Sequence, residues 1–310
     1  MDGTAFIVNP NAGHGFAARH WPELRRAAQR LAARHEVWFT RGSGDAVALV
    51  QKAMRKGFRR LVCVGGDGTL NEVVNGLMRG DSDRRKAVLL GYIPCGTGCD
   101  FARTLHLPMS PTDALAVAVS DGPCRAVDIG HLAFRQRDGA PRHAYFHNVV
   151  SFGLGGEVDA RVNRSAALLG GFLSFMLAAL MSIFLYRKKQ IRLSVDKGPS
   201  FEVSAWNVVV ANGQYHGGGM WIAPDAVLND GLFHVTVIGD FSLPEVFLHL
   251  PKLYNGRLQT LQKVRCLSGR RIEACSSGRV LLDMDGEQPG QLPVAINLIA
   301  DAIRLVLPRE

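Results

Sequence analysis

Short apolar strands alternate with helical stretches through the first ninety-odd residues, and a polar or glycine-rich loop follows each strand. Strands are read at 4–9 ("TAFIVN"), 36–40 ("EVWFT"), 60–64 and 87–93, and helices at about 22–35, 45–56 and 70–79. A βαβα succession with such short connections leaves few options besides a parallel sheet covered by helices on both faces. Ligands of open parallel sheets bind beyond the carboxyl ends of the strands. Four loops fall at that end: "NPNAGHG" (9–15), "TRGSGD" (40–45), "GGDGT" (65–69) and "PCGTGCD" (94–100).

After about residue 128 the pattern changes to short runs rich in β-branched residues, separated by turns such as "DKGPS" (196–200), "NDG" (229–231) and "DGEQPGQ" (285–291). Strands at that spacing predict an antiparallel sandwich or barrel. The fold class expected is therefore an α/β domain over 1–127 followed by a mainly antiparallel β-sandwich over 128–301. A last strand, "AIRLVLP" (302–308), is expected to return to the first domain.

Composition narrows the partners. With 36 Lys and Arg against 27 Asp and Glu the net charge is +9, which favours an anionic partner. The basic residues are scattered and no basic helix carries interleaved aromatics, so nucleic acid is not expected. Six cysteines show no metal spacing, which predicts a reducing compartment. The N-terminus has only a three-residue apolar run, so no secretion signal is read and a cytoplasmic protein is expected. One segment stands apart: 166–186 ("AALLGGFLSFMLAALMSIFLY") holds 21 residues without a charge, followed by Arg187, Lys188 and Lys189. That length reaches across ~30 Å of hydrocarbon. Its glycines and serines, with strand-like sequence on both sides, favour a helix facing lipid over a buried core helix or a membrane span.

The "GGDGT" loop poses the chemical problem. Glycines let main-chain N–H groups approach phosphate oxygens, and the start of the following helix adds a positive end. Asp67 does not fit that purpose alone, because a carboxylate beside phosphate is repulsive unless a divalent cation lies between them or the carboxylate takes a proton. A turn or helix cap built on Asp-Gly is the simpler alternative for those residues. Neither G-x-x-x-x-G-K-[ST] nor G-x-G-x-x-G occurs at this loop, so a Walker-type ATPase and a plain dinucleotide fold are not indicated.

Five segments in order carry a resemblance: "NPNAGHG", "VGGDGTLNEVVNGL" (64–77), "IPCGTGCDFAR" (93–103), "NGQYHGGGMWIAPDAVLNDGLF" (212–233) and "DMDGE" (283–287). Together they resemble the diacylglycerol kinase/sphingosine kinase family, in particular its bacterial lipid kinases, over nearly the whole chain. The resemblance implies transfer of the ATP γ-phosphate to a hydroxyl of diacylglycerol, a long-chain base, ceramide or a related lipid. It implies that Asn9, Gly65, Gly66, Gly68, Thr69 and Thr97 hold the nucleotide, with Thr40 a weaker candidate, and that Asp67 and Asp100 organise Mg²⁺. It further implies that Asp285 and Glu287 form a catalytic acidic pair, Asp285 being preferred as the base, and that Asp230 with the carbonyls of Val227 and Leu232 forms a second Mg²⁺ site. For both of these last motifs a plain hairpin turn is the alternative. The partners expected are ATP, a membrane lipid and, transiently, an anionic membrane surface. A homodimer is admitted.

Two enzyme readings and one other remain. An NAD kinase shares "GGDGT" but should lack the apolar segment and the "GTG-x-D-F-A-R" loop. A lipid-binding regulator that has lost catalysis is prompted by Cys99, which stands where the family usually has Asn; Asp67, Asp100 and Asp285 speak against it. Arg161 and Arg164 are candidates for nucleotide phosphates or an ordinary solvated helix face. His147, His216 and His234 form no metal spacing and are read as surface or satisfied core residues.

Overall fold

The computed structural model describes residues 3–32, 34–136, 138–165 and 181–309, with residues 159 and 161–165 described as backbone only. The chain divides into two units, Met1–Ile129 with Ile299–Glu310, and Gly130–Leu298.

In the first unit β1 (Thr4–Val8), β2 (His35–Phe39), β3 (Arg60–Gly65) and β4 (Leu89–Pro94) run parallel in the order β2-β1-β3-β4. Arg304 and Leu305, from the end of the long strand Gln291–Val306, pair in parallel with Leu89 and Leu90. The helices are α1 (Ala12–Leu31), α2 (Asp45–Arg55) and α3 (Asp67–Met78), followed by shorter ones at Ser82–Lys86, Asp100–Thr104 and Pro111–Val119.

Helix α1 starts well before the expected Pro22, which lies inside it. Ala17, Trp21, Leu24 and Ala28 recur at helical spacing and pack with Phe6, Val62 and Val64 in one core. Burying Trp21 and Leu24 contributes roughly 1.5–3 kcal/mol each, which offsets the ~3 kcal/mol cost of an interior proline. Helix α3 likewise begins at Asp67 rather than Leu70, taking the glycine-rich residues into its first turn.

The second unit is a mainly antiparallel β-sandwich. One sheet runs in the order Val264–Gly269, Phe233–Ile238, Asn207–Ala211, Val149–Gly153, Leu282–Met284. The other contains Arg271–Cys275, Lys189–Val195 and Phe201–Ala205, with residues 294–297 paired to 271–274. Phe152, Val208, Val210 and Phe233 meet Ile191, Leu193, Ile272 and Ile296 in the core. The strand Asn207–Ala211 reads as an unbroken apolar run because both its faces are buried. Val208 and Val210 enter that core, while Val209 and Ala211 join Trp206, Ile222, Phe241 and Leu258 in a second one.

No helix among the described residues is long and apolar enough to cross a membrane. Of the apolar segment 166–186, residues 166–180 lie outside the described residues, so the lipid-facing reading is confined to residues 181–186, of which 181–185 are helical.

Candidate active site

Three loops of the first unit meet because their strands are in register. Val64 pairs with Val8 on one side and Ile93 on the other, and Gly65 with Pro94. The loops that follow are therefore laced together: Asn9 N–H donates to the Val64 carbonyl at 2.9 Å and Cys95 N–H to the Gly65 carbonyl at 2.7 Å. The Asn9 side chain donates from Nδ2 to Thr69 Oγ1 at 2.9 Å. Thr40 is buried and its N–H extends the sheet to the Val8 carbonyl. Thr97 is exposed.

The glycines are set by close approach. A Cβ on Gly65 would stand 2.6 Å from the Thr69 side chain, and one on Gly96 would stand 2.5 Å from the Gly66 Cα. Two glycine loops thus abut backbone to backbone, where no side chain can intervene. Gly68 lies in the first turn of α3, whose N–H groups have no carbonyl of their own helix to bond.

Asp67 is the first residue of α3, and its carboxylate reaches across to the second loop. Oδ2 accepts from Asp100 N–H at 3.2 Å and Oδ1 from Phe101 N–H at 3.3 Å. Asp100 is buried, with Oδ1 3.8 Å from Arg103 Nε. Both carboxylates border Gly98, whose Cβ would lie 3.4 Å from Asp67 Oδ2 and 3.7 Å from Asp100 Oδ2. The charge of Asp67 is felt below the loops. Burial first, and then Asp67, push the Tyr92 phenol up and the Cys99 thiol up to about 12.

Cys99 is accommodated at some cost. Its backbone is left-handed, with φ 51°, a region that Asn enters more easily than most residues. Its Sγ contacts the Gly96 carbonyl at 3.3 Å. Buried and protonated, the thiol is not a reactive one.

In the second unit the "DMDGE" motif is a two-residue hairpin turn. Met284 N–H donates to the Glu287 carbonyl and Glu287 N–H to that of Met284, while Asp285 and Gly286 both have positive φ. The turn reading and a functional one coexist here, but Asp285 is sealed. Its buried carboxylate accepts from the N–H groups of His147, Asn148 and Val149 at 2.8–3.1 Å. His147 Nδ1 lies 2.8 Å from Asp285 Oδ2. Asp283 is buried as well; Ser151 Oγ donates to its Oδ2 at 3.0 Å, and His216 Nε2 lies 2.9 Å away. Glu287, two residues on, is exposed.

Sequence reading missed the pairing of His147 and His216 with these aspartates. His147 and Asp285 lie more than a hundred residues apart in the chain, so no local spacing could reveal their pairing. Asp230 sits in its own turn, where Oδ1 accepts from Leu232 N–H at 2.9 Å and Oδ2 lies 3.8 Å from His234 Nε2. Val227 is exposed nearby in the chain. Among the described residues no group of three or more His, Cys, Asp or Glu side chains is arranged to hold a metal. The Asp67–Asp100 pair still fits Mg²⁺, an ion commonly held by one or two carboxylates together with substrate phosphates and water. The side chains of Arg161 and Arg164 lie outside the described residues.

Comparison with known proteins gives two family matches. Residues 4–132 match the diacylglycerol kinase catalytic domain, and residues 148–307 match the YegS C-terminal NAD kinase beta sandwich-like domain. The chain is 28% identical over 310 residues to a diacylglycerol kinase of Bacillus subtilis, covering 100% of this chain and 98% of that one. It is 34% identical over 270 residues to a protein of Chromohalobacter salexigens named "probable lipid kinase YegS-like", covering 86% and 82%. Among solved structures, a diacylglycerol kinase from Bacillus anthracis superposes with TM-score 0.74 at 20% identity, covering 99% and 97%. Yeast NADH kinase complexed with NADH superposes with TM-score 0.51 at 12% identity, covering 99% and 84%.

Proposed function

Because the chain belongs to the diacylglycerol kinase family of lipid kinases, we propose that it transfers the γ-phosphate of ATP to a hydroxyl of a membrane lipid such as diacylglycerol, a long-chain base or ceramide. The observation that carries this reading is the carboxylate of Asp67, held across two abutting glycine loops on the N–H groups of Asp100 and Phe101. Asn9, Gly65, Gly66, Gly68, Thr69 and Thr97 would line the phosphates, with Thr40 behind them. Asp67 and Asp100 would hold Mg²⁺ over Gly98. Bound there, Mg²⁺ would neutralise charge on the transferred phosphate. Behind the NAD kinase alternative stand the shared "GGDGT" loop and a likeness of fold at 12% identity.

Loop contact supplies one prediction. Gly96→Ala drives a Cβ against the Gly66 backbone, which cannot yield as a flexible side chain would. A misplacement of ~1 Å at such a site costs on the order of 10²-fold in rate, so kcat for lipid phosphorylation should fall by about that factor. Gly42→Ala, with nothing within 4 Å of the new methyl, should leave kcat unchanged.

For the base we propose Glu287 in place of Asp285. Asp285 has both oxygens occupied by backbone donors and His147 and is shut away from solvent, so it positions the turn. Glu287 is exposed on the same turn and takes the proton of the lipid hydroxyl. General-base catalysis is worth ~10²–10⁴-fold, so Glu287→Gln should lower kcat for diacylglycerol phosphorylation in detergent micelles by that order while KM for ATP stays near the wild-type value. Full activity in this variant would return the base assignment to another group.

A further inference from the structure

The chemistry proposed above uses none of the large apolar side chains that the second unit leaves in water. Apart from Val227, those among the described residues lie on the helix Leu243–His249, just after it, or in residues 181–185. A capping box of Ser242 and Glu245 starts that helix, and none of its residues is buried. Val246 packs inward and His249 meets the edge of Phe241. Leu243, Phe247 and Leu248 point outward, Leu248 being 72% exposed, and Tyr254 beyond them is 55% exposed. Phe184, 61% exposed, stands with its ring 5.4 Å from that of Phe247, and Met181 and Leu185 are exposed beside it in the chain. Single exposed apolar residues are ordinary, but a run of them joined by ring contact marks an interaction surface.

Charge identifies what the surface fits. Residues 181–189 and 240–263 contain six basic side chains and two acidic ones. Each acid is already held by a lysine, Asp240 by Lys188 and Glu245 by Lys263. Arg187, Lys189, Lys252 and Arg257 have no ion pair among the described residues. A second copy docking through the same face about a two-fold axis would set these cations against their own images. Apolar side chains with cations close by in the chain that have no ion pair among the described residues suit the boundary of an anionic bilayer, where the apolar groups enter among acyl chains and the cations meet lipid phosphates.

We infer that the face formed by Leu243, Phe247, Leu248, Tyr254 and Phe184 docks this protein on anionic membrane surfaces, with Arg187, Lys189, Lys252 and Arg257 contacting the headgroups. The inference rests on the lipid kinase reading in that it supplies the route to a substrate residing in a bilayer.

Vesicle co-sedimentation tests it, using phosphatidylcholine alone and phosphatidylcholine mixed with phosphatidylglycerol. The wild-type chain should bind the mixed vesicles, less as salt rises, and bind the neutral ones weakly. Phe247→Ser with Leu248→Ser should reduce binding about tenfold or more, and Lys252→Gln with Arg257→Gln should weaken binding and flatten its salt dependence. These surface changes remove no buried group, and a matching thermal melt confirms the fold. Unchanged vesicle binding in both variants overturns the docking face, as does a wild-type dimer in light scattering that the Phe247/Leu248 variant turns into monomer. Phosphorylation of lipid dispersed in detergent separates the two readings. If the wild type binds vesicles through this face but phosphorylates no lipid, docking stands and the kinase reading falls. If it phosphorylates dispersed lipid but the variants still bind vesicles, the kinase reading stands and the docking face falls.

Discussion

Replacing Asp67 with asparagine is expected to lower kcat for lipid phosphorylation by roughly 10²–10³-fold, the range seen when one preorganised electrostatic group is removed from a site. Two effects act together. The substitution removes a negative charge bordering Gly98, where Asp100 supplies the other carboxylate. It also puts a side-chain amide where both oxygens now accept from the N–H groups of Asp100 and Phe101, so one donor faces another. Steady-state kinetics with varied Mg²⁺ checks the first effect, and the variant's activity should demand more of the ion. A thermal melt close to wild type is expected, because Asp67 is half-buried at the start of α3 rather than in the core. Unchanged kcat in this variant would remove Asp67 from the reaction.

Asp285→Ala should instead act on stability. The substitution leaves the buried N–H groups of His147, Asn148 and Val149 without their acceptor and strips His147 of its carboxylate. Each orphaned buried donor costs ~1–3 kcal/mol. Denaturant unfolding should register a loss of about 3 kcal/mol or more, and the amides of residues 147–149 should exchange with solvent faster than in the wild type. A variant as stable as the wild type, with only kcat reduced, would make Asp285 the base after all.

Much of the fold can be read from local pattern. The parallel strands of the first unit are apolar runs closed by glycine or polar loops, and the sandwich strands are short β-branched runs between turns. Reading fails where packing at a distance decides. Pro22 looks like a helix start, yet the stripe of Ala17, Trp21, Leu24 and Ala28 carries the helix through it. Gly68 and Thr69 look like loop residues, yet they form the first turn of α3.

The site divides the same way. The glycine loops and Asp67 announce themselves in sequence because close backbone approach demands glycine wherever it happens. Asp285 is visible as a motif, but its sealing by residues 147–149 is a contact between segments far apart in the chain. That contact is the ground for proposing Glu287, and not Asp285, as the base. Cys99 is legible only as a departure from a resemblance; its left-handed backbone supplies the physical reason that asparagine suits the position.

The proposal that this chain is an ATP-dependent lipid kinase meets its most direct test in one measurement. The protein is incubated with Mg²⁺ and ATP labelled at the γ-phosphate, and offered diacylglycerol, a long-chain base, ceramide and NAD in separate reactions, with products resolved by mass. The account predicts that at least one lipid gains a single labelled phosphate on its hydroxyl and that NAD gains none. Label appearing in NAD alone, or in no lipid of the panel while ATP is bound, would contradict it.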